Sequence, residues 1–181
     1  MLLNVLISTK NSTCNWKKKS ILSNQLKFKN SAIVFDRGYQ APVMIASKEG
    51  GVEIEEVSKT NPDAIVKEPI DTKTGPTDKQ LERLGTSLGL SGDTLKQSKI
   101  LMNNFYKLMV ETDSTQIEIN PLIVTNDNQV VCIDAKINFD DNAEFRHPDI
   151  FSLRDFSEED PREVQASKFG LNYIGLDGNI G

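Results

Sequence analysis

A single histidine and two cysteines leave this 181-residue chain little material for a zinc centre, and Cys14 and Cys132 stand too far apart to suggest a disulfide framework. The one imidazole, His147, precedes a proline in "FRHPD" and reads as an ordinary loop histidine. No stretch approaches the roughly 20 consecutive apolar residues that a membrane helix requires. Positive charge does not prevail either. Lysine and arginine total 21 against 26 aspartates and glutamates, a net charge of −5. A nucleic-acid binder needs clustered cations to neutralise phosphates, so neither nucleic acid nor membrane is expected as a partner. Acid is missing for longest at the start of the chain. Residues 1–31 hold six lysines, scattered serine and threonine, and no carboxylate. Such composition suits an organelle transit peptide, although arginine is absent, or a non-native leader.

What remains, with 38% hydrophobic and 26% charged residues, is the composition of a soluble domain large enough to bury a core. Its most informative stretch is "EINPLIVTNDNQVVCIDAK", residues 118–136. Two β-rich runs flank Asn and Asp residues that favour turns. Ile117, Ile119, Ile123, Val131, Ile133, Ala135 and Ile137 all have odd numbers, which predicts one buried face. Glu118, Asn120, Cys132, Asp134 and Lys136 then share the opposite face. A three-residue loop Asn126–Asp127–Asn128, with Asn128 left-handed, centres the hairpin on Asp127. That register sets Asn120 opposite Asp134 and Glu118 opposite Lys136. Pro121 fits only where its missing N–H meets an edge or a bulge.

An amide oxygen and a carboxylate about 5 Å apart at their β-carbons suit a hard cation such as Mg²⁺. A wet hairpin face carries polar residues in any case, so spacing alone leaves both readings open.

Elsewhere, "AIVF" and "PVMIA" predict a hairpin turned at Gly38, and "KEGGVEIEEV" leads into a short helix over about 52–59 that stops near Pro62. "DAIVKEPI" predicts a short strand. Thr77 caps a helix with Leu81, Leu84 and Leu88 on one face, and Ser91 or Asp93 starts a longer one carrying Leu95, Met102, Phe105 and Met109. Asp160, Pro161 and Gly170 bound a last helix, and "LNYIGLDGNIG" reads as a strand awaiting a partner.

"ASKEGGVEIEEV", "EINPLIV", "DAKINFDDNAEFR" and "EEDPREVQASKFGLNYIGLDGNIG" together resemble the β subunit of succinyl-CoA ligase, from about residue 32 to 181. The resemblance implies an α/β fold, specifically an incomplete ATP-grasp domain of antiparallel strands packed with two or three helices. It implies Mg²⁺ held by Asn120 and Asp134. Glu118 would meet the phosphohistidine loop of an α subunit. It also implies coupling of succinyl-CoA cleavage to nucleoside triphosphate formation in the tricarboxylic acid cycle. The substrates would be succinate, CoA and a nucleotide, ATP/ADP by preference or GTP/GDP. The location would be the mitochondrial matrix, or the cytoplasm if bacterial.

Departures accompany the matches. The family's nucleotide lysine and glycine-rich loop have no counterpart here, and residues 1–31 stand in their place. The C-terminal CoA-ligase domain is absent as well, so the expectation is a partial β subunit. The alternatives are a short non-catalytic module that docks on the α subunit, a related malate–CoA ligase, or a GDP-forming isoform.

Overall fold

The computed structural model describes residues 2–4, 29–50, 57, 59–154, 160–171, 173 and 175. Among them are strands β1 (Leu2–Asn4), β2 (Lys29–Asp36), β3 (Ala41–Ser47), β4 (Ile65–Pro69), β5 (Ser114–Val124), β6 (Val130–Cys132) and β7 (Ala135–Phe139). Helices α1 (Asp78–Ser87) and α2 (Gly92–Glu111) lie between β4 and β5, and the short α3 (Pro148–Phe151) and α4 (Pro161–Ser167) follow β7. All the strand pairs are antiparallel, in the order β1-β7-β5-β2-β3-β4, with β6 also on β5. The expected α/β arrangement of antiparallel strands with a few helices is what the chain adopts.

The two long helices cover one face of the sheet. Thr77 caps α1 through a reciprocal box with Gln80, which satisfies two N–H groups that a helix start leaves unpaired. Leu81, Leu84 and Leu88 then fall at helical spacing on the buried side. At the start of α2 the Ser91 N–H donates to Thr94 Oγ1 at 3.3 Å, and Met102, Phe105 and Met109 face inward. These side chains join Ile33, Met44, Ile117, Ile119 and Ile137 of the strands in one continuous core. A bidentate pair, Arg83 to Glu68 at 2.6 and 2.7 Å, fastens α1 to β4.

The helices approach closely at Gly85. A β-carbon there would run into the Leu95 Cδ1 methyl and stand 2.8 Å from Ser98 Oγ. Alanine is the better helix former by about 1 kcal/mol. Overpacking a tight contact costs about 1–3 kcal/mol, which outweighs that gain. Gly85→Ala is therefore expected to lower the urea midpoint; an unchanged or raised midpoint would mean that the helices can part at little cost.

Several expectations need correction. The β2–β3 turn falls at Gly38 as expected, though its left-handed residue is a different one. Gln40 takes the positive φ of 51°, while the Asp36 carboxylate accepts the Gly38 and Tyr39 N–H groups at 2.7 and 3.3 Å. An aspartate side chain that mimics the turn removes the need for glycine. Strand β2 also starts at Lys29, so residues 29–31 of the basic stretch belong to the sheet and are buried. The expected helix over about 52–59 lies mostly outside the described residues. So does most of the final strand-like segment, whose described residues 171, 173 and 175 form no strand.

His147 is more firmly tied than an ordinary loop histidine. Its Nε2 lies 2.8 Å from the Asp113 carboxylate, which also accepts from Arg146 Nε at 3.0 Å. Asp113 is left-handed, with φ 50°, at the turn between α2 and β5. The His147 hydrogen bond, aided by the Arg146 charge against a partial desolvation, holds its carboxyl below the usual range. Stability from this cluster is present above the ordinary aspartate pKa and is lost as pH falls through the lowered one.

Candidate functional site

The register of the β5 hairpin places the site. Leu122 pairs with Cys132, Ile119 with Ala135, and Glu118 with Lys136, all centred on Asp127 as the loop chemistry predicts. Asn128 is left-handed at φ 57°. Thr125 Oγ1 accepts the Gln129 N–H at 3.0 Å and closes the turn. Helix α2 pins it from outside, because Gln97 donates to Asn128 O at 2.9 Å and accepts from Val130 N at 3.0 Å.

The strands change phase halfway. Below the break the core face holds Ile117, Ile119, Ala135 and Ile137, but beyond it Leu122, Val130 and Cys132 face the core. The switch falls at Asn120–Pro121 on β5, where the peptide bond is cis, and at Ile133–Asp134, which lie between β6 and β7. On the other side of β5 the ladder to β2 shifts register between Lys29 and Ser31. Pro121 has no N–H to donate, and this irregularity is where its absence is accommodated. The expectation that Cys132 lies on the wet face is thus overturned. Its thiol is 1% exposed, and burial pushes its pKa up to about 12, so it stays protonated and inert at neutral pH.

At the break, four polar side chains converge. Glu118, Asn120, Asp134 and Lys136 line one pocket of about 160 Å³. Asn120 N donates to Asp134 O at 3.3 Å, and Ile133 N to Pro121 O at 3.1 Å, so the backbone holds the two sides together. The Asp134 carboxylate accepts the Ala135 N–H at 2.9 Å and is otherwise exposed. Glu118 is buried and accepts from Asn30 Nδ2 at 3.3 Å. Although the register sets Lys136 opposite Glu118, no ion pair of Lys136 occurs among the described residues.

The oxygen donors fit Mg²⁺. An amide and a carboxylate are two hard ligands, leaving the other positions to water and phosphate oxygens. Among the described residues no cluster of three or more His, Cys, Asp and Glu side chains gathers to hold a metal by itself. The sparse donor set therefore suits a cation delivered with an anionic ligand.

Sequence reasoning missed Asn30. It sat in the acid-poor stretch assigned to a leader, and nothing in composition marked residues 29–31 as the buried start of a strand. Lys29 beside it is equally buried and donates its ammonium to Leu88 O at the C-terminal end of α1.

The ATP-grasp domain family matches residues 18–124. The GDP-forming succinate–CoA ligase subunit β (mitochondrial) of Dictyostelium discoideum is 58% identical over 150 residues, 83% of this chain and 36% of that protein. The ADP-forming subunit β of the same organism is 55% identical over 150 residues, 83% of this chain and 34% of that protein. The chain thus spans about a third of the length of the curated relatives it matches. Among solved structures, an ATP citrate lyase from Methanothrix soehngenii superposes with a TM-score of 0.57 at 19% identity, over 78% of this chain and 32% of that one. That likeness extends to the fold alone.

Proposed function

The chain belongs to the ATP-grasp domain family, and on that premise we propose that it forms the Mg²⁺-bearing part of a succinate–CoA ligase β subunit. The reaction converts succinyl-CoA, a nucleoside diphosphate and phosphate into succinate, CoA and the nucleoside triphosphate. The reading rests above all on the pocket in which Glu118, Asn120, Asp134 and Lys136 meet. The 58% and 55% identities to β subunits of both nucleotide types support it and leave ADP and GDP both open as acceptor. Both of those relatives are mitochondrial, which supports the mitochondrial matrix as the location.

In this reading Asn120 and Asp134 hold Mg²⁺ through their side-chain oxygens. The ion, when bound, offsets charge on the phosphate oxygens. Phosphoryl transfer depends chiefly on positioning and on such charge compensation, and those are the tasks a sparse polar pocket on a sheet can perform. Glu118 carries no ionic partner on its own strands and is held by Asn30 instead. That leaves its second oxygen to meet N–H groups of the phosphohistidine loop of an α subunit and so orient it. His147 is committed to Asp113 and takes no part.

The test mixes the chain with a ³²P-phosphorylated α subunit, Mg²⁺ and ADP or GDP, and follows label into nucleoside triphosphate. Transfer above the rate of the α subunit alone supports the proposal. A stable complex without transfer would identify a docking module; no complex and no transfer would remove the proposal.

A further inference from the structure

Lys136 builds the pocket through its backbone, paired in β7 with Glu118 of β5, while its side chain lines the cavity. Its ammonium makes no ion pair among the described residues, although Glu118 lies directly across the strand pair. Glu118 accepts from the amide of Asn30. The other carboxylate of the pocket, Asp134, takes the Ala135 N–H and looks outward. A half-buried lysine that forms no ion pair with the carboxylate across from it is available to a different anion. Its position suggests which one.

We propose that Lys136 is a phosphate-binding residue that grips the phosphoryl group bridged to the Asn120–Asp134 cation. The inference rests on the metal reading of that pair and adds a residue to it. The Asn120 N–H meets Asp134 O at the break, Glu118 pairs with Lys136 one step further along the strands, and all four side chains line the same pocket. Two residues along a strand span about 7 Å. A divalent cation at one level and an ammonium at the other would repel if nothing lay between them. A phosphoryl group held there would accept from the Lys136 ammonium while the ion held by Asn120 and Asp134 would offset its remaining charge. The attraction that results is charge-assisted on both sides. Lysine suits the task as a compact point charge on a flexible stem, able to follow the group as it moves.

The arrangement predicts opposite responses to two probes. Lys136→Met keeps the length and apolar stem of the side chain but removes its charge. The 181-residue chain and its variants would be titrated with Mg²⁺ alone and with Mg²⁺–tripolyphosphate at fixed ionic strength. Lys136→Met is expected to bind Mg²⁺–tripolyphosphate about tenfold more weakly, the loss of one charge-assisted contact. Its affinity for Mg²⁺ alone should be equal or higher, because a neighbouring like charge is gone. Lys136→Arg should keep affinity for the polyphosphate to within about threefold. A merely structural lysine would move both titrations together, through stability. Equal polyphosphate affinity in Lys136→Met and wild type, with Asp134→Ala still weakening Mg²⁺, would overturn the Lys136 assignment and leave the metal pair standing. A wild-type chain that binds neither probe would overturn both.

Discussion

Asp134→Ala is expected to weaken Mg²⁺ binding by about a hundredfold, which corresponds to about 2.7 kcal/mol. Asp134 supplies the negative charge of the proposed metal pair, while Asn120 contributes only a dipole. Loss of a charged ligand from a two-ligand site leaves the ion to water and to whatever phosphate accompanies it. The fold should notice far less. The Asp134 side chain is exposed, and its structural contact is one hydrogen bond from Ala135 N, a group that water can satisfy once the carboxylate is gone. The hairpin is fixed by other means: the Asn126–Asp127–Asn128 loop, the Gln97 clamp and the buried Ile119–Ala135 pair. Mn²⁺ in place of Mg²⁺ gives a spectroscopic readout of the free ion, and thermal melting reports the fold. A hundredfold loss of Mn²⁺ affinity at unchanged melting temperature is the expected pattern. Unchanged affinity would remove Asp134 as a ligand; a collapse of both would make it a structural residue.

The hairpin was legible because its loop chemistry and its alternation agree. Asn128 adopts the left-handed turn conformation that asparagine tolerates, and the pairing of 118 with 136 follows by counting from Asp127. The phase change at Asn120–Pro121 was not legible. Leu122 and Ile123 are both apolar, as are Val131 and Cys132, so either parity could have faced the core beyond the proline. Only the three-dimensional path decides, and it buries Leu122 and Cys132 on the helix side. The helices were read well because caps and apolar spacing coincide: Thr77 with Gln80 upstream of Leu81, Leu84 and Leu88. Strand β2 was read three residues short. Lys29, Asn30 and Ser31 are polar, and polar residues at a strand start look like a leader until the sheet is seen to close over them. The same blind spot hid Asn30, whose amide donates to Glu118.

Glu118→Gln separates what that carboxylate does for the fold from what it does for the reaction. A carboxylate 7% exposed is an expensive group to bury, and one amide hydrogen bond offsets only part of its desolvation. Glutamine has the same shape, accepts the same bond from Asn30, and carries no charge. The variant should therefore be at least as stable as wild type, and its melting temperature equal or higher. Mg²⁺ binding should change little, since Glu118 stands one level along the strands from Asn120 and Asp134. Transfer of a phosphoryl group from a phosphorylated α subunit is a different matter. An ionised carboxylate holds N–H donors of an approaching loop about twice as strongly as a neutral amide oxygen. A loop that is not held correctly loses the alignment on which transfer depends, so the rate should fall about a hundredfold. Single-turnover decay of the phosphorylated α subunit measures that rate directly. A rate equal to wild type, in a variant that melts at the same temperature, would reduce Glu118 to a polar residue of the sheet. A slow rate together with weaker nucleotide binding would place it in the nucleotide pocket and not at the partner's loop. A slow rate at unchanged nucleotide affinity would establish that the chain keeps a buried carboxylate because the partner, and not the fold, requires it.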